Sequence, residues 1–291
     1  MKDLHYHIAI FVAAHKPDFV IHDEVHTPIH VGWVVSKFKA EMAEMLGDDT
    51  GENISEKNPS YCEMTAHYWI WKNVKDAEFV GLCHYRRYFG CEITQENISQ
   101  LMQDYDVMLV EPSYYVDSVF SYFAKFVGAE NMTILAAVMK RLFPDYYDTL
   151  VKLCDGVKFY PFNMLVCRKP LYDQYCEWMF TVLQTCEQYI KPSPYTNGRR
   201  ALAYLAEMLT SVYFLHRQLR IKAVPYLKVE GGQKILVKRS EEENLALAKY
   251  EALLQNELAW KVKEDRKEKF DNPAIIIGLK NDGLPLFQVD L

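Results

Sequence analysis

The sequence predicts an α/β fold with a mainly parallel sheet, followed by a C-terminal helical extension. Short apolar runs that suit buried strands alternate with helical stretches over most of the chain, the pattern of a sheet whose strands are joined by helices. Reactive polar residues gather just past the ends of those runs, where open α/β sheets bind ligands. From Ser240 to Phe270 the composition shifts to Glu, Lys, Ala and Leu at helical spacing. The expected organisation is a domain over 1–230 and an extension over 231–291, built on one long amphipathic helix packed on that domain.

The elements follow in order. Tyr6 to Ala14 reads as a strand, ended by His15-Lys16-Pro17. A basic pair there suits a nucleotide ligand, although Lys16 alone is equally well a solvated turn residue. A loop carries Pro28-Ile29-His30-Val31-Gly32, and a helix is expected from Trp33 to Leu46. Gly47 to Asn58 is polar. Its Asp48, Asp49 and Glu52 could hold a cation, but they lack calcium-loop spacing, and a solvated loop is the better reading. A helix then starts near Asn58, capped by Asn58 ahead of Pro59, or by Ser60 with Glu63 in a capping box. Met64, Tyr68 and Trp71 fall on one stripe of it, which marks that face as core.

Phe79 to Cys83 is apolar throughout and suits a strand covered on both faces. His84, Tyr85, Arg86, Arg87 and Tyr88 follow at once. Arginine presents a planar fork of donors that matches phosphate or carboxylate. Two adjacent arginines at a strand end therefore read as an anion site for a diphosphate, against the plainer reading of one structural ion pair and one solvated charge.

Further on, a short helix is expected over Glu96 to Gln103 and a strand over Tyr105 to Val110, while the aromatic stretch Tyr114 to Phe126 resists typing. Helices follow at Met132 to Leu142 and Tyr146 to Leu153. Phe159 to Cys167 reads as a strand with an aromatic rim and Asn163 at its mouth. Leu171 to Tyr189 is an amphipathic helix. Arg199-Arg200 precede a helix from Ala201 to Leu215, on which Arg200, Tyr204 and Glu207 can share a face. Glu207 is then a catalytic base or an ion-pair partner of those arginines. Strands are expected at Ile221 to Val229 and Ala274 to Leu279, and the lysine-rich stretch Lys261 to Lys269 reads as a solvated helix face.

Composition narrows the function. A net charge of -6 argues against a general nucleic-acid binder. Seven cysteines, an odd number without a Cys-x-x-Cys pair, read as reduced thiols rather than a disulfide framework or a zinc site. Twenty tyrosines exceed what packing demands and suit platforms for sugars and bases. No signal core and no run of about 20 apolar residues occurs, so the expected location is the cytoplasm, with at most peripheral membrane association. The phosphate loop, the dinucleotide fingerprint and the nucleophile elbow are all absent.

His15-Lys16-Pro17, Pro28 to Gly32, Asn53 to Asn58, the Glu63 to Asn73 stretch, Gly81 to Phe89 and Phe162-Asn163-Met164 together resemble a bacterial family long filed as a domain of unknown function. Its members are described as capsular or exopolysaccharide biosynthesis glycosyltransferases. The resemblance covers roughly Tyr6 to Pro225. It implies a GT-A-like nucleotide-sugar-binding fold, a UDP-sugar donor such as UDP-galactofuranose, and a glycan or lipid-linked saccharide acceptor. Most GT-A enzymes hold a divalent metal, Mn or Mg, on the diphosphate with Asp-x-Asp. Here His84-Tyr85-Arg86-Arg87 stand in that place, which implies that the arginines neutralise the diphosphate themselves.

On this reading His15, Lys16, Arg86, Arg87, Arg199 and Arg200 bind the donor, and His84 donates to phosphate or holds a metal. Trp69, Tyr85, Tyr88, Asn163 and Tyr204 position sugars. Glu207 is the first candidate base, and Glu63 is the second unless it is only a cap. The rivals are a non-catalytic sugar- or nucleotide-binding module and a phosphate-ester hydrolase using His84.

Overall fold

The computed structural model describes residues 6–255 and 270–288. The chain forms two compact units: residues 1–111, 160–178 and 218–238, and residues 112–159, 179–217 and 239–291.

The first unit is built on a ten-stranded sheet. Its main path is formed by β1 (Tyr6–Ala14), β2 (His26–His30), β3 (Leu46–Gly47), β4 (Ala77–His84), β6 (Val107–Val110), β9 (Leu165–Arg168) and β10 (Ile221–Val224), in the order β10-β6-β9-β4-β1-β2-β3. All neighbours run parallel except β9, which is antiparallel to both β4 and β6. This central path is thus mixed and mostly parallel, as the sequence predicts. Ile8 to Ala14 of β1 and Phe79 to Cys83 of β4 are apolar because both faces are covered. Ile8, Ile10 and Val12 enter a core shared with Phe79, Met108 and Val166. On the other face Phe11 meets Trp69 of α2 (Met64–Asn73), with ring centroids 5.7 Å apart. Gly81 is needed where β9 passes, since a Cβ there would stand 2.6 Å from the Leu165 carbonyl oxygen.

A three-stranded ribbon leaves this path. β5 (Arg87–Phe89) turns back antiparallel from β4, β11 (Tyr226–Glu230) pairs with β5, and β12 (Gln233–Leu236) pairs with β11. The expected strand Ile221 to Val229 is broken at Pro225, which has no N–H for the ladder, and its halves join different partners.

Several other expectations give way. The loop before Gly32 contains β2, paired along β1 from Ile10 to Ala14. The helix expected over Trp33 to Leu46 is a single 3-10 turn, Trp33–Val35. Gly32 is left-handed (φ 69°), and the Asp48 carboxylate takes the N–H groups of Gly32 (2.7 Å) and Trp33 (3.0 Å). Val34 and Val35 are β-branched and poor at propagating the turn. The helix near Asn58 is two pieces, α1 (Asn58–Tyr61) and α2, divided at Cys62 (φ 48°). The capping box does not form, because Ser60 Oγ donates to the Lys57 carbonyl and Glu63 accepts from Asn163. The buried face of α2 carries Met64, Ala66, His67 and Ile70, whereas Tyr68 and Trp71 are half-buried.

In the second unit, α4 (Val119–Val127), α5 (Ala129–Leu142), α6 (Pro144–Asp155) and α9 (Ala201–His216) pack together. α4 and the short strand β7 (Ser113–Tyr114) resolve the aromatic stretch. β7 pairs with β8 (Lys158–Phe159), so the strand expected over Phe159 to Cys167 is two strands parted at Phe162 and Asn163. The C-terminal segment contributes α10 (Glu241–Gln255). The lysine-rich end expected beyond it lies outside the described residues. The strand expected at Ala274 to Leu279 is a helix, Pro273–Asn281. Asn272 caps it by accepting from Ala274 N (3.0 Å), with proline in the first turn.

Candidate functional site

The cluster after Cys83 forms a tight hairpin at the carboxyl ends of β1 and β4. His84 pairs with Arg87, leaving Tyr85 and Arg86 as the turn. The Tyr85 N–H donates to the Ala13 carbonyl (3.1 Å), and its buried ring meets His15 edge-on at 5.6 Å. The turn is thereby pinned to the end of β1, beside exposed His15 and half-buried Lys16.

The two arginines differ. Arg86 Nε and Nη2 both donate to Asp18 Oδ2, at 3.1 and 2.7 Å. That hydrogen bond, followed by one from Phe19 N, holds the Asp18 carboxyl below its ordinary pKa. The Arg87 guanidinium instead lies 4.5 Å over the Phe162 ring and has no carboxylate partner among the described residues. Across the ribbon Arg87 faces Lys228, and Lys228 pairs with Glu230. Like charges directly opposite in a ladder are destabilising, and an anion between them removes the cost.

Beneath the hairpin, Phe162 (φ 78°) and Asn163 (φ 53°) form a left-handed turn held by two imidazoles. His84 Nε2 donates to the Phe162 carbonyl at 2.7 Å, and His67 Nε2 donates to the Asn163 carbonyl at 2.8 Å. A carbonyl only accepts, so both Nε2 atoms carry the proton. His67 Nδ1 then accepts from Tyr172 Oη at 2.7 Å. Burial pushes the His67 pKa down to about 4, so this clamp works with a neutral ring. Asn163 Nδ2 donates to Glu63 Oε1 at 2.8 Å.

These placements revise several roles. Trp69 is 9% exposed and its Nε1 donates to Thr50. Tyr88 is 3% exposed and its hydroxyl accepts from Ile21 N. Asn163 is 1% exposed, with its amide spent on Glu63. The indole N–H, the phenol and the amide of these three buried residues are thus engaged within the fold. Glu63 is buried and accepts from Asn163, and the half-buried His84 gives its Nε2 proton to the Phe162 carbonyl. Arg199, Arg200, Tyr204 and Glu207 belong to the second unit. There the Arg200 guanidinium lies 5.5 Å over Tyr204, which stacks on Phe126 at 5.3 Å. Half-buried Glu207 bears on Tyr115, whose phenol is pushed up first by burial, then by Tyr122 and by Glu207.

Sequence reasoning missed Asp18, Lys228, the Phe162 platform and His67. Asp18 stands two residues beyond Lys16 and His67 lies within the Glu63 to Asn73 motif, so both were within sight. Lys228 became a neighbour of Arg87 only through ribbon register.

A divalent metal of the Asp-x-Asp kind does not fit this hairpin, where the nearby carboxylates among the described residues are already answered, Asp18 by Arg86 and Glu230 by Lys228. The acidic loop offers no substitute. Asp48 is fully buried and accepts from Gly32 N, Trp33 N, Ser55 Oγ and Thr65 Oγ1. Among the described residues, no group of three or more His, Cys, Asp or Glu side chains could hold a metal ion.

Residues 9–218 match the family described as a domain of unknown function, DUF4422. The chain belongs to this family. No curated protein matches it. Among solved structures it is similar to the WbbM bifunctional glycosyltransferase in its apo state, at 26% identity and a TM-score of 0.68. That match covers 80% of this chain and 47% of the other, so this DUF4422 protein spans about half the length of that enzyme. The mixed, mostly parallel sheet is accordingly a GT-A-like, glycosyltransferase-like fold. No helix among the described residues is long and apolar enough to cross a membrane.

Proposed function

We propose that this DUF4422 protein is a glycosyltransferase that moves a hexose, galactofuranose being the expected sugar, from a UDP-sugar to a glycan or lipid-linked saccharide in capsular or exopolysaccharide synthesis. The observation that carries the reading is Arg87, a cation without a carboxylate partner among the described residues, laid on an aromatic ring and facing Lys228 at the strand end where α/β folds bind ligands. The similarity to WbbM supports the same direction.

In the proposed reaction the donor diphosphate lies against Arg86, Arg87 and Lys228, with its nucleoside toward His15 and Lys16. A base takes the proton of the acceptor hydroxyl, whose oxygen attacks the anomeric carbon as the bond to the diphosphate oxygen breaks. The electron pair leaves with UDP, where preorganised cations stabilise the developing charge. Glu207, the base expected from the sequence, lies in the second unit and is tested by substitution. A single base with no placed nucleophile suits inversion.

The test is binding of UDP, UDP-galactose, UDP-galactofuranose, GDP and CDP, with and without manganese, to wild type and Arg87→Ala. The expected result is manganese-independent UDP binding that weakens about 10- to 100-fold in the variant, the worth of a charge-assisted contact of about 1.5–3 kcal/mol. Glu207→Gln should keep donor binding and lose turnover. If it keeps turnover, the base is another group. UDP binding without transfer to any acceptor would favour a non-catalytic binding module, and no nucleotide binding at all would sink the transferase reading.

A further inference from the structure

The ribbon has a second face. Side chains alternate along a strand, so Arg87 and Lys228 point to one side while Tyr88, Leu227 and Val229 point to the other. On that other side the first unit holds a cleft of about 570 Å³, within the range of small-molecule sites. Its lining includes Val25, Ile93 and Val229, all buried and apolar. Asp23, Glu24, Glu92, His26 and Lys234 bring polar groups to the same space.

The walls are fixed in advance. Asp23 Oδ1 accepts from Val25 N (2.9 Å) and His26 N (2.7 Å), which sets the first wall. Thr94 and Asn97 exchange hydrogen bonds between their backbone N–H groups and each other's side chains, and Asn97 Nδ2 donates to the Glu92 carbonyl, which sets the second. Gln95 Nε2 donates to the Glu24 carbonyl (2.7 Å) and to that of Ile8 (2.9 Å), tying the walls together. A rigid cleft pays little ordering cost on binding. Glu24, Glu92 and Lys234 have no side-chain partner among the described residues.

We propose that this cleft is a saccharide site separate from the hairpin, holding a segment of a neutral oligosaccharide. With Asp23 engaged by His26, Glu24 and Glu92 repel an anion while Lys234 offsets part of their pull on a cation, and the three groups together offer acceptors and a donor to a neutral ligand rich in hydroxyls. Hydroxyls donate to Glu24 and Glu92 in charge-assisted bonds, and Lys234 donates to the ligand's oxygens. The apolar floor receives the C–H faces of the rings. The choice of a saccharide rests on the glycosyltransferase reading. A glycan held here, on the face opposite the donor cations, is retained by a surface that the transfer step does not use.

The test is calorimetric titration of wild type, Arg87→Ala and the double variant Glu24→Ala/Glu92→Ala with maltotetraose, a galactotetraose, spermidine and citrate, and with UDP on the same samples. Both altered glutamates are exposed, so the double variant should melt with the wild type. The expected result is tetrasaccharide binding that survives Arg87→Ala and weakens at least tenfold in the double variant, with UDP binding unchanged. Binding of spermidine or citrate in preference to both sugars would overturn the proposal. So would tetrasaccharide binding indifferent to the double variant, or none at all. Saccharide binding in a protein that binds no UDP would sink the donor site and leave this cleft standing.

Discussion

Asp48 and Arg87 belong to the same unit, and the structure treats their charges in opposite ways. Asp48 is fully buried, and its two oxygens accept from two backbone N–H groups and two hydroxyls. Arg87 sits on Phe162, faces another cation across the ribbon, and has no carboxylate within reach among the described residues. A buried charge survives only where its partners are built in. A charge left unanswered at a ligand-binding edge is free to be answered from outside. In the sequence the arginines read as an anion site and Asp48 as part of a solvated loop, and the full burial of Asp48 corrects the second reading.

The largest test of this contrast is Asp48→Ala. It strands two backbone N–H groups and the hydroxyls of Ser55 and Thr65, at about 1–3 kcal/mol for each buried group left unsatisfied. Partial relaxation of the loop should leave a loss of roughly 4 kcal/mol, read as a lower midpoint in denaturant unfolding. A loss under about 1 kcal/mol would mean that the hub does not hold the loop.

That hub also shows what the sequence could and could not reveal. β1, β4, β6 and the helices between Met132 and Leu215 were legible because their apolar runs and periodicity are local. Trp33 to Leu46 was not, because its course is set by distant partners, Asp48 taking the Trp33 N–H and Ser55 the Val34 N–H, while two adjacent β-branched residues follow Trp33. At the site the two arginines and their strand end were legible from adjacency alone. The burial of Trp69, Tyr88 and Asn163 depends on contacts with Thr50, Ile21 and Glu63, and ribbon register placed Lys228 opposite Arg87. No local pattern encodes those.

The second test concerns the clamp that supports the Arg87 platform. His67 titrates near 4 in the folded state against 6.5 for an ordinary histidine. The unfolded chain therefore takes up the proton first as pH falls. Stability is fully present above about pH 6.5, declines as pH falls toward 4, and levels below that, losing about 3 kcal/mol from this group. Buried His30, whose pKa is also lowered, adds to the slope. The contribution of His67 is isolated by comparing wild type with His67→Gln by chemical denaturation from pH 7 to 4. The variant should start less stable and lose less. Parallel curves would show that the ring is protonated in the fold.

The smallest expected effect sharpens the comparison most, because Asp18 is the carboxylate hydrogen-bonded to a hairpin cation. Its pair with Arg86 is substantially exposed, so Asp18→Asn should change stability by less than about 1 kcal/mol. Its effect on UDP depends on what the pair does. If Arg86 is rigid through its stacking over Tyr85, at 5.2 Å, then removing a negative charge beside the diphosphate should tighten binding a few-fold. The gain should fade at high salt as the charges are screened. If Asp18 instead aims the guanidinium, the variant should bind UDP more weakly and Asp18→Glu should restore part of the loss. The depressed pKa of Asp18 keeps it charged well below neutrality, so the first outcome predicts no pH dependence from this group between pH 5 and 8. We expect tightening, since Arg87 shows that this hairpin can hold a guanidinium on an aromatic ring without a carboxylate.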